Sequence, residues 1–292
     1  MEWVDRCLGS LNQSQVPVQT IVTDNNSTDG TLEKIRSDYP ETILIPLKQN
    51  QGFAGANNIG IKMALKLQAD YIFLLNHDAW ITPKTIGSLL SVLENHPDCG
   101  VLSPLHLNGS ATGLDFLFSK YIVPDKCPGL ISDIIINQEK DYYPTENVNA
   151  AAWFMKSDIF REVGLFDQTF HLYGEDNNYV DRVHYSGYEI AITPCAHIYH
   201  DREKRPSQAK DETISFSDQV IRMKVIVLNP NQSLIDRWLL LFRKSFSDFI
   251  RNLRNMRVIH SIQNLSIFIL GIFYSFWFRK RHEKLKQEAE KL

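Results

Sequence analysis

The chain has 292 residues, 43% of them hydrophobic, enough to bury a full core and leave an appendage over. Its formal net charge of -3 is unevenly placed: residues 1–209 carry 16 basic and 26 acidic side chains, residues 210–292 carry 15 and 8. An acidic body argues against nucleic acid as its ligand, and a basic tail suits an anionic surface. Cys7, Cys99, Cys127 and Cys195 stand far apart with no C-x-x-C pair, which argues against a zinc site or disulfide framework and fits a reducing cytoplasm. No signal-peptide pattern precedes the first helix-like segment.

In chain order, apolar groups at Trp3, Val4, Cys7, Leu8 and Leu11 have helical spacing. A strand follows at Val18–Thr23, then the turn-rich run Asp24-Asn25-Asn26-Ser27-Thr28-Asp29-Gly30-Thr31. Asp, Asn, Ser and Gly bond their own backbone or tolerate positive φ, so this run reads as a loop that also caps a helix near Thr31–Ser37. Asp24 is thereby either plain turn chemistry or a ligand at a strand's end. Ile43–Leu47 is the next strand. It leads through Asn50-Gln51-Gly52-Phe53-Ala54-Gly55-Ala56-Asn57-Asn58 into a helix reaching about Leu67, whose small first-turn residues suit either close ligand approach or tight packing.

Tyr71-Ile72-Phe73-Leu74-Leu75 is a five-residue apolar run that reads as a central parallel strand buried on both faces, although a buried helix segment gives the same pattern. It delivers Asn76, His77 and Asp78 at its carboxyl end, the edge where open α/β sheets bind ligands. Asp78 is then a helix-capping loop carboxylate or a metal- and phosphate-handling one. Pro83–Asn95 reads as a helix and Gly100–Ser103 as a short strand. Strand–helix alternation over the first hundred residues predicts a parallel sheet with helices on both faces.

Residues 104–145 read as irregular, with hairpins or a flap. Val148–Met155 reads as a strand and Ser157 opens a short helix ending at Gly164. Glu175-Asp176 precede a helical run, Asn177–Tyr185; acids there either cap the helix, for about 0.3–1 kcal/mol each, or act chemically. Strands at Tyr188–Thr193 and Ala196–His200 follow. Arg202–Ala209 reads as a linker.

Beyond it, Trp238–Phe242, Phe246, Phe249, Ile250 and Leu253 alternate with Arg243, Lys244, Arg251, Arg254 and Arg257, a basic amphipathic helix suited to a membrane surface or a partner's groove. Leu265–Phe278 is 14 mostly apolar residues, about 21 Å if helical against a hydrocarbon core of about 30 Å, too short to span it comfortably. Arg279-Lys280-Arg281 follow. The tail is expected to lie at the interface, the alternative being a helical hairpin packed on the body or on a second copy of the chain.

Together these stretches resemble the inverting nucleotide-sugar glycosyltransferases of family 2, with closest likeness to the rhamnosyltransferase-like enzymes of bacterial surface polysaccharide synthesis. The likeness covers about residues 1–203. It is carried by Ile21 to Thr31, Gly52 to Gly60, Leu74 to Asp78, and Gly164-Leu165-Phe166-Asp167 through Glu175-Asp176. It implies an α/β GT-A fold, a Rossmann-like mixed sheet with helices on both faces, as an N-terminally short domain over 1–203, plus a C-terminal helical extension over 204–292.

The same resemblance implies roles. Asp24 reads the donor's base; Asn26, Gly52, Phe53, Asn57 and Asn76 belong to the donor pocket, Asn57 where many relatives carry Arg. Asp78 matches the last acid of the family's D-x-D and, with His200, holds Mg²⁺ or Mn²⁺ on the donor diphosphate. Asp176, beside Glu175, is the base. Trp153, Tyr173 and His171 fall on the acceptor side. The partners implied are a UDP-, dTDP- or GDP-linked sugar, a glycan or lipid-linked acceptor and an anionic membrane, with the protein cytoplasmic and peripheral on the plasma membrane's inner face.

One departure stands out. Family members open with a strand ending in a Thr-Tyr-Asn-like turn, whereas here Met1 falls where the following helix starts. The first, central strand has no counterpart, and a neighbouring ladder should be exposed. That departure, with Asn76-His77 in the metal motif, supports a non-catalytic membrane-associated relative as the alternative. A nucleotidyltransferase would need an N-terminal Gly-rich triphosphate loop, which this sequence lacks.

Overall fold

The computed structural model describes residues 1–202, 215–254 and 258–291. The expected linker lies, beyond Arg202, outside the described residues, as do Arg257 and the side chains of Arg279, Lys280 and Arg281.

The body holds two sheets. In the smaller, β1 (Ile21–Asp24) pairs in parallel with β2 (Ile43–Pro46). The larger has six strands, β3 (Tyr71–Leu75), β4 (Ala79–Ile81), β5 (Cys99–Asn108), β6 (Tyr143–Thr145), β7 (Ala152–Lys156) and β8 (Glu189–His200), in the order β3-β7-β5-β8-β4 with β6 also on β8. Around them run α1 (Val4–Asn12), α2 (Thr31–Asp38), α3 (Gly52–Lys66), α4 (Thr85–Asn95), α5 (Leu130–Ile135), α6 (Ser157–Val163) and α7 (Glu175–Tyr185).

This corrects the expectation of a parallel sheet with Tyr71–Leu75 at its centre. Only β5 and β8 run parallel in the larger sheet, and β3 is an edge strand antiparallel to β7. An apolar run reports burial on two faces; it says nothing of the neighbour's direction. Ile72 and Leu74 enter one core cluster, while Tyr71, Phe73 and Leu75 pack against a second.

The two sheets leave facing edges open. The Asn76 N–H donates to Ala151 and the Ser157 N–H to Asp70, so alternate residues from Asp70 to Asn76 bond to β7. The two-residue period turns the backbone groups of Tyr71, Phe73 and Leu75 the other way. On β1, the Ile43 N–H donates to Thr20 and the Leu47 N–H to Asp24, which leaves Ile21 and Thr23 facing away from β2. Helix α3 packs on both β1 and β3, and Ile21 joins Ile72 and Leu74 in one cluster, so both edges flank a common gap. Among the described residues no strand pairs with either of these edges.

Residues 104–145 are more ordered than expected. β5 runs on to Asn108, and Phe118, Ile122, Cys127, Leu130 and Tyr143 are buried in the main core. Their apolar spacing matches neither sheet nor long helix, which hid them from a periodicity search. The strands expected at Tyr188–Thr193 and Ala196–His200 are one strand, β8, whose register against β5 shifts between Pro104 and Leu105.

Two buried polar side chains fix the loop between α6 and α7. Arg182 donates from Nη1 to the Val163 carbonyl at 2.8 Å, from Nη2 to Leu165 at 2.7 Å and from Nε to Asn178 at 3.2 Å. Asn58 on α3 clasps the Phe166 backbone in both directions at 2.9 Å. Leaving such groups unpaired costs about 1–3 kcal/mol each, so α3, α6 and α7 are locked about the chain that leads to Glu175 and Asp176.

C-terminal to the body, α8 (Phe216–Val227), α9 (Leu234–Arg254) and α10 (Val258–Glu290) share a small core of Met223, Ile226, Val227, Leu241 and Ile267. Lys224 donates to the Thr169 carbonyl at 2.8 Å and Asn231 to that of Asp181 at 2.6 Å, tying these helices to the body. No helix among the described residues is long and apolar enough to cross a membrane.

Candidate active site

β3 ends at Leu75, and β4 begins at Ala79 and pairs antiparallel with the end of β8, Ala79 opposite His200. This register brings the wholly buried side chains of Asp78 and His200 together, Oδ1 to Nε2, at 3.2 Å. A tight turn after β5 returns the chain so that the Asp115 N–H bonds the His106 carbonyl. Asp115 then lies 3.5 Å from Nδ1 of His200 and 3.1 Å from Nε of Arg202, whose Nε also donates to His200 Nδ1 at 3.1 Å. Trp3, at the start of α1, closes the other side: its ring meets His77 edge-on at 5.6 Å and its Nε1 donates to Asp201 at 3.0 Å.

Glu175 and Asp176 open α7 after Gly174, whose left-handed φ of 89° turns the chain into the helix. Burial pushes the Asp176 carboxyl above its ordinary range, against the pull of the Asn177 and Ala150 backbone N–H groups and the Arg202 charge. Burial, then the Asp176 charge, pushes Glu175 up to about 7. Tyr121 is raised by burial and next by Asp176, and it also feels Arg202 and Asp115. Arg202 thus touches His200 and Asp115, and its charge acts on Asp176 and Tyr121.

The Asp24 loop forms a second group. Asp24 is buried and its Oδ2 accepts the Ser27 N–H at 3.0 Å; Asn26 is exposed and held at φ 71°. Asn25 ties this loop to the next one, donating to Asn50 at 3.0 Å and Gly52 at 3.2 Å and accepting from Gln51 at 2.7 Å. Gly52 has φ 70°, and a Cβ there would fall 2.1 Å from the His171 carbonyl. The Phe53 N–H reaches that carbonyl at 3.3 Å, and Phe53 packs edge-on against Phe166. Asn57 is half-buried and donates back to Phe53. The loop from Phe166 to Asp176 therefore carries the acid pair at one end and abuts the Gly52–Phe53 turn near its middle.

Trp153 requires a correction. It is 0% exposed, stacked on Phe166 at 5.9 Å and beside Tyr179, so it belongs to the core and cannot touch an acceptor. β7 is buried on both faces, Trp153 and Met155 entering one core cluster and Ala152 and Phe154 the other. Tyr173, by contrast, is exposed and sits at φ 67° three residues before Asp176. Asn25, which ties the Asp24 and Gly52 loops, stands in the turn-rich run after β1, whereas Asp115 and Arg202 carry no local signal in the sequence.

The glycosyl transferase family 2 model matches residues 2–164. The chain belongs to glycosyl transferase family 2. It is 24% identical over 227 residues to the N-acetylglucosaminyl-diphospho-decaprenol L-rhamnosyltransferase of Mycobacterium tuberculosis, covering 68% of this chain and 72% of that enzyme. With the dTDP-rhamnosyl transferase RfbF of Shigella flexneri it shares 24% over 182 residues, 62% of this chain and 59% of that one. S. aureus TarS 1-349 in complex with UDP-GlcNAc superposes with a TM-score of 0.61 at 15% identity, over 98% of this chain and 80% of that one. GalNAc-T7 with UDP, GalNAc and Mn2+ gives 0.59 at 12%, over 94% and 54%. This family 2 glycosyltransferase has the GT-A fold with a C-terminal helical region, and its likeness is of the rhamnosyltransferase type.

Proposed function

We propose that this glycosyltransferase moves a sugar, a hexose or rhamnose, from a nucleotide diphosphate to a glycan or lipid-linked acceptor with inversion, in bacterial surface polysaccharide synthesis. The observation that carries the reading is the meeting of Asp78 with His200, to which Arg202 is also bonded. Relatives named as enzymes disfavour the non-catalytic alternative.

Asp176 is the base: it takes the proton of the acceptor hydroxyl as that oxygen bonds the anomeric carbon, while the electron pair of the breaking C–O bond leaves with the nucleoside diphosphate. Burial suits it, because a carboxylate held above its usual pKa is a stronger base. Glu175 supports it from the neighbouring position. Asp24, Asn26, Gly52, Phe53, Asn57 and Asn76 form the donor side, with Gly52 letting the backbone come close. Tyr173, exposed three residues before Asp176, serves the acceptor side in this reading.

Asp78 and His200 would hold a divalent cation. A carboxylate oxygen and an imidazole nitrogen meeting at one buried point suit Mg²⁺ or Mn²⁺, which take phosphate oxygens and water as further ligands; among the described residues no group of three or more His, Cys, Asp or Glu forms a protein cage. When bound, the ion supplies charge relief to the departing diphosphate.

The tail reading follows from α9 and α10. Leu239, Phe242, Phe246 and Leu253 form one exposed stripe on α9, Ile262, Leu265, Ile269 and Phe273 another on α10, and Phe242 touches Phe268 across the pair. Arg243, Lys244, Arg251 and Arg254 stand exposed along α9. An apolar face edged with basic groups fits the inner face of the plasma membrane, where lipid-linked acceptors lie; self-association through the same face is the competing use. The donor reading is tested by a thermal-shift panel of UDP, dTDP and GDP with and without Mn²⁺. One of them should stabilise the chain in a metal-linked way, by about 2.7 kcal/mol at a hundredfold excess over Kd. No response to any of the three would refute it.

A further inference from the structure

Arg202 and Asp115 meet His200, and the family likeness gives neither of the two a role. Arg202 is 22% exposed in its side chain, whereas Asp115 is 2% exposed. Asp115 is fixed twice over: Oδ1 accepts the Phe118 N–H at 2.8 Å, and Phe118 is itself buried and stacked on His106 at 4.2 Å. Its Oδ2 meets Nε of Arg202 at 3.1 Å. The contacts of Arg202 with Asp115 and with His200 both use Nε, the side-on nitrogen. The two terminal nitrogens carry four further N–H donors in a planar fork, whose spacing matches two oxygens of a phosphate.

The electrostatics call for such a group. Asp78, Asp115, Asp176, Glu175 and Asp201 crowd this region with carboxylates, all of them buried or half-buried. A diphosphate entering it would add negative charge, of which a divalent cation held by Asp78 and His200 would offset two units. Arg6 lies 3.9 Å from Asp201 and over the Trp80 ring, on the α1 side. Arg202, in contrast, is bonded to the same His200 that meets Asp78, and so lies beside the point where a donor diphosphate would be held.

We infer that Arg202 binds the diphosphate of the donor through its terminal nitrogens, and that Asp115 is the positioning residue that aims it. The inference rests on the donor reading of the site given above. Nε is spent on Asp115 and His200, so the guanidinium plane is set before the donor arrives, and little side-chain freedom is lost on binding. A charge-assisted fork of this kind is stronger than a neutral contact and is directional, which a lysine ammonium is not.

The test is calorimetric titration of the full chain with UDP and dTDP, and with UMP and dTMP, each with Mn²⁺, in the wild type, Arg202→Gln, Arg202→Lys and Asp115→Asn. Arg202→Gln should weaken the diphosphate by about 10- to 100-fold and the monophosphate less. Arg202→Lys should fall between, because it keeps charge without the fork. Asp115→Asn should raise the donor KM in a donor-hydrolysis assay with little change in kcat, and unfolding scans should show both Arg202 variants folded. Wild-type binding with an unchanged Arg202→Gln overturns this inference alone, as does equal loss of mono- and diphosphate. Absence of Mn²⁺-linked binding by the wild type overturns the donor reading and this inference with it.

Discussion

Nε2 of His200 lies 3.2 Å from Oδ1 of Asp78 across 122 residues of sequence. The cause is a register: β4 starts one residue after Asp78 and runs antiparallel to β8, so Ala79 faces His200 and the Asp201 N–H bonds the Asp78 carbonyl at 2.9 Å. Two short backbone ladders thus fix the pair, and both side chains are buried.

Asp78→Asn tests what that pair does. The amide keeps the shape and loses the charge, so the fold should survive while Mn²⁺-linked stabilisation by UDP or dTDP disappears. Transfer should fall by about 100-fold or more, since the charge relief at stake is several kcal/mol. A variant that still shows the metal-linked shift removes Asp78 from the metal site.

Asp176→Asn should lower kcat by about 10²- to 10⁴-fold with little effect on donor binding. Burial holds the Asp176 carboxyl above its ordinary range, and a base works only when ionised. In the wild type kcat/KM should therefore rise with pH through a value above 3.8 and then level off, and the rise should vanish in the variant. A pH–rate profile for both proteins checks this.

Glu175 gives a stability prediction with a definite sign. Its carboxyl is pushed from 4.5 up to about 7, so between those values the folded protein holds a proton that the unfolded chain has lost. Stability from this group is then highest at acid pH and falls as pH rises through that window. Glu175→Gln should be more stable than wild type at pH 8 by about 1–2 kcal/mol and close to it at pH 4, as read by urea unfolding. A variant less stable at pH 8 would show that the ionised Glu175 has a partner worth more than its burial costs.

The open edge of β3 predicts an alternating pattern of hydrogen exchange. Amides of Ile72, Leu74 and Asn76 bond to β7 and should exchange slowly, whereas those of Tyr71, Phe73 and Leu75 face the gap and should exchange much faster. Equal protection along the strand would mean that the gap is filled in solution.

Membrane attachment through α9 and α10 predicts that the full chain co-sediments with vesicles rich in anionic lipid and less with neutral ones. Phe242→Glu with Phe246→Glu should abolish this, since both rings lie on the exposed stripe and stack on each other at 5.6 Å. Arg243→Glu with Lys244→Glu should weaken it by removing the attraction, each basic group near the surface contributing about 1 kcal/mol. A wild type that ignores vesicles but sediments as a dimer assigns the face to a second copy.

The sequence alone determined the body's family and the position of most of its elements. Turn residues from Asp24 to Gly30 marked a strand's end, the glycines of Gly52–Gly55 marked a helix start, and the acids at Glu175 and Asp176 marked another. These are local signals, set by backbone freedom and short-range hydrogen bonding, so they survive in one dimension. Direction, register and the far neighbour do not. That Tyr71–Leu75 is an antiparallel edge strand, that Trp153 points inward, and that Asp115 and Arg202 reach His200 were decided only by pairing across long stretches of chain. The same apolar run satisfies several partners equally, and the free energy that chooses among them comes from the packing of the whole core.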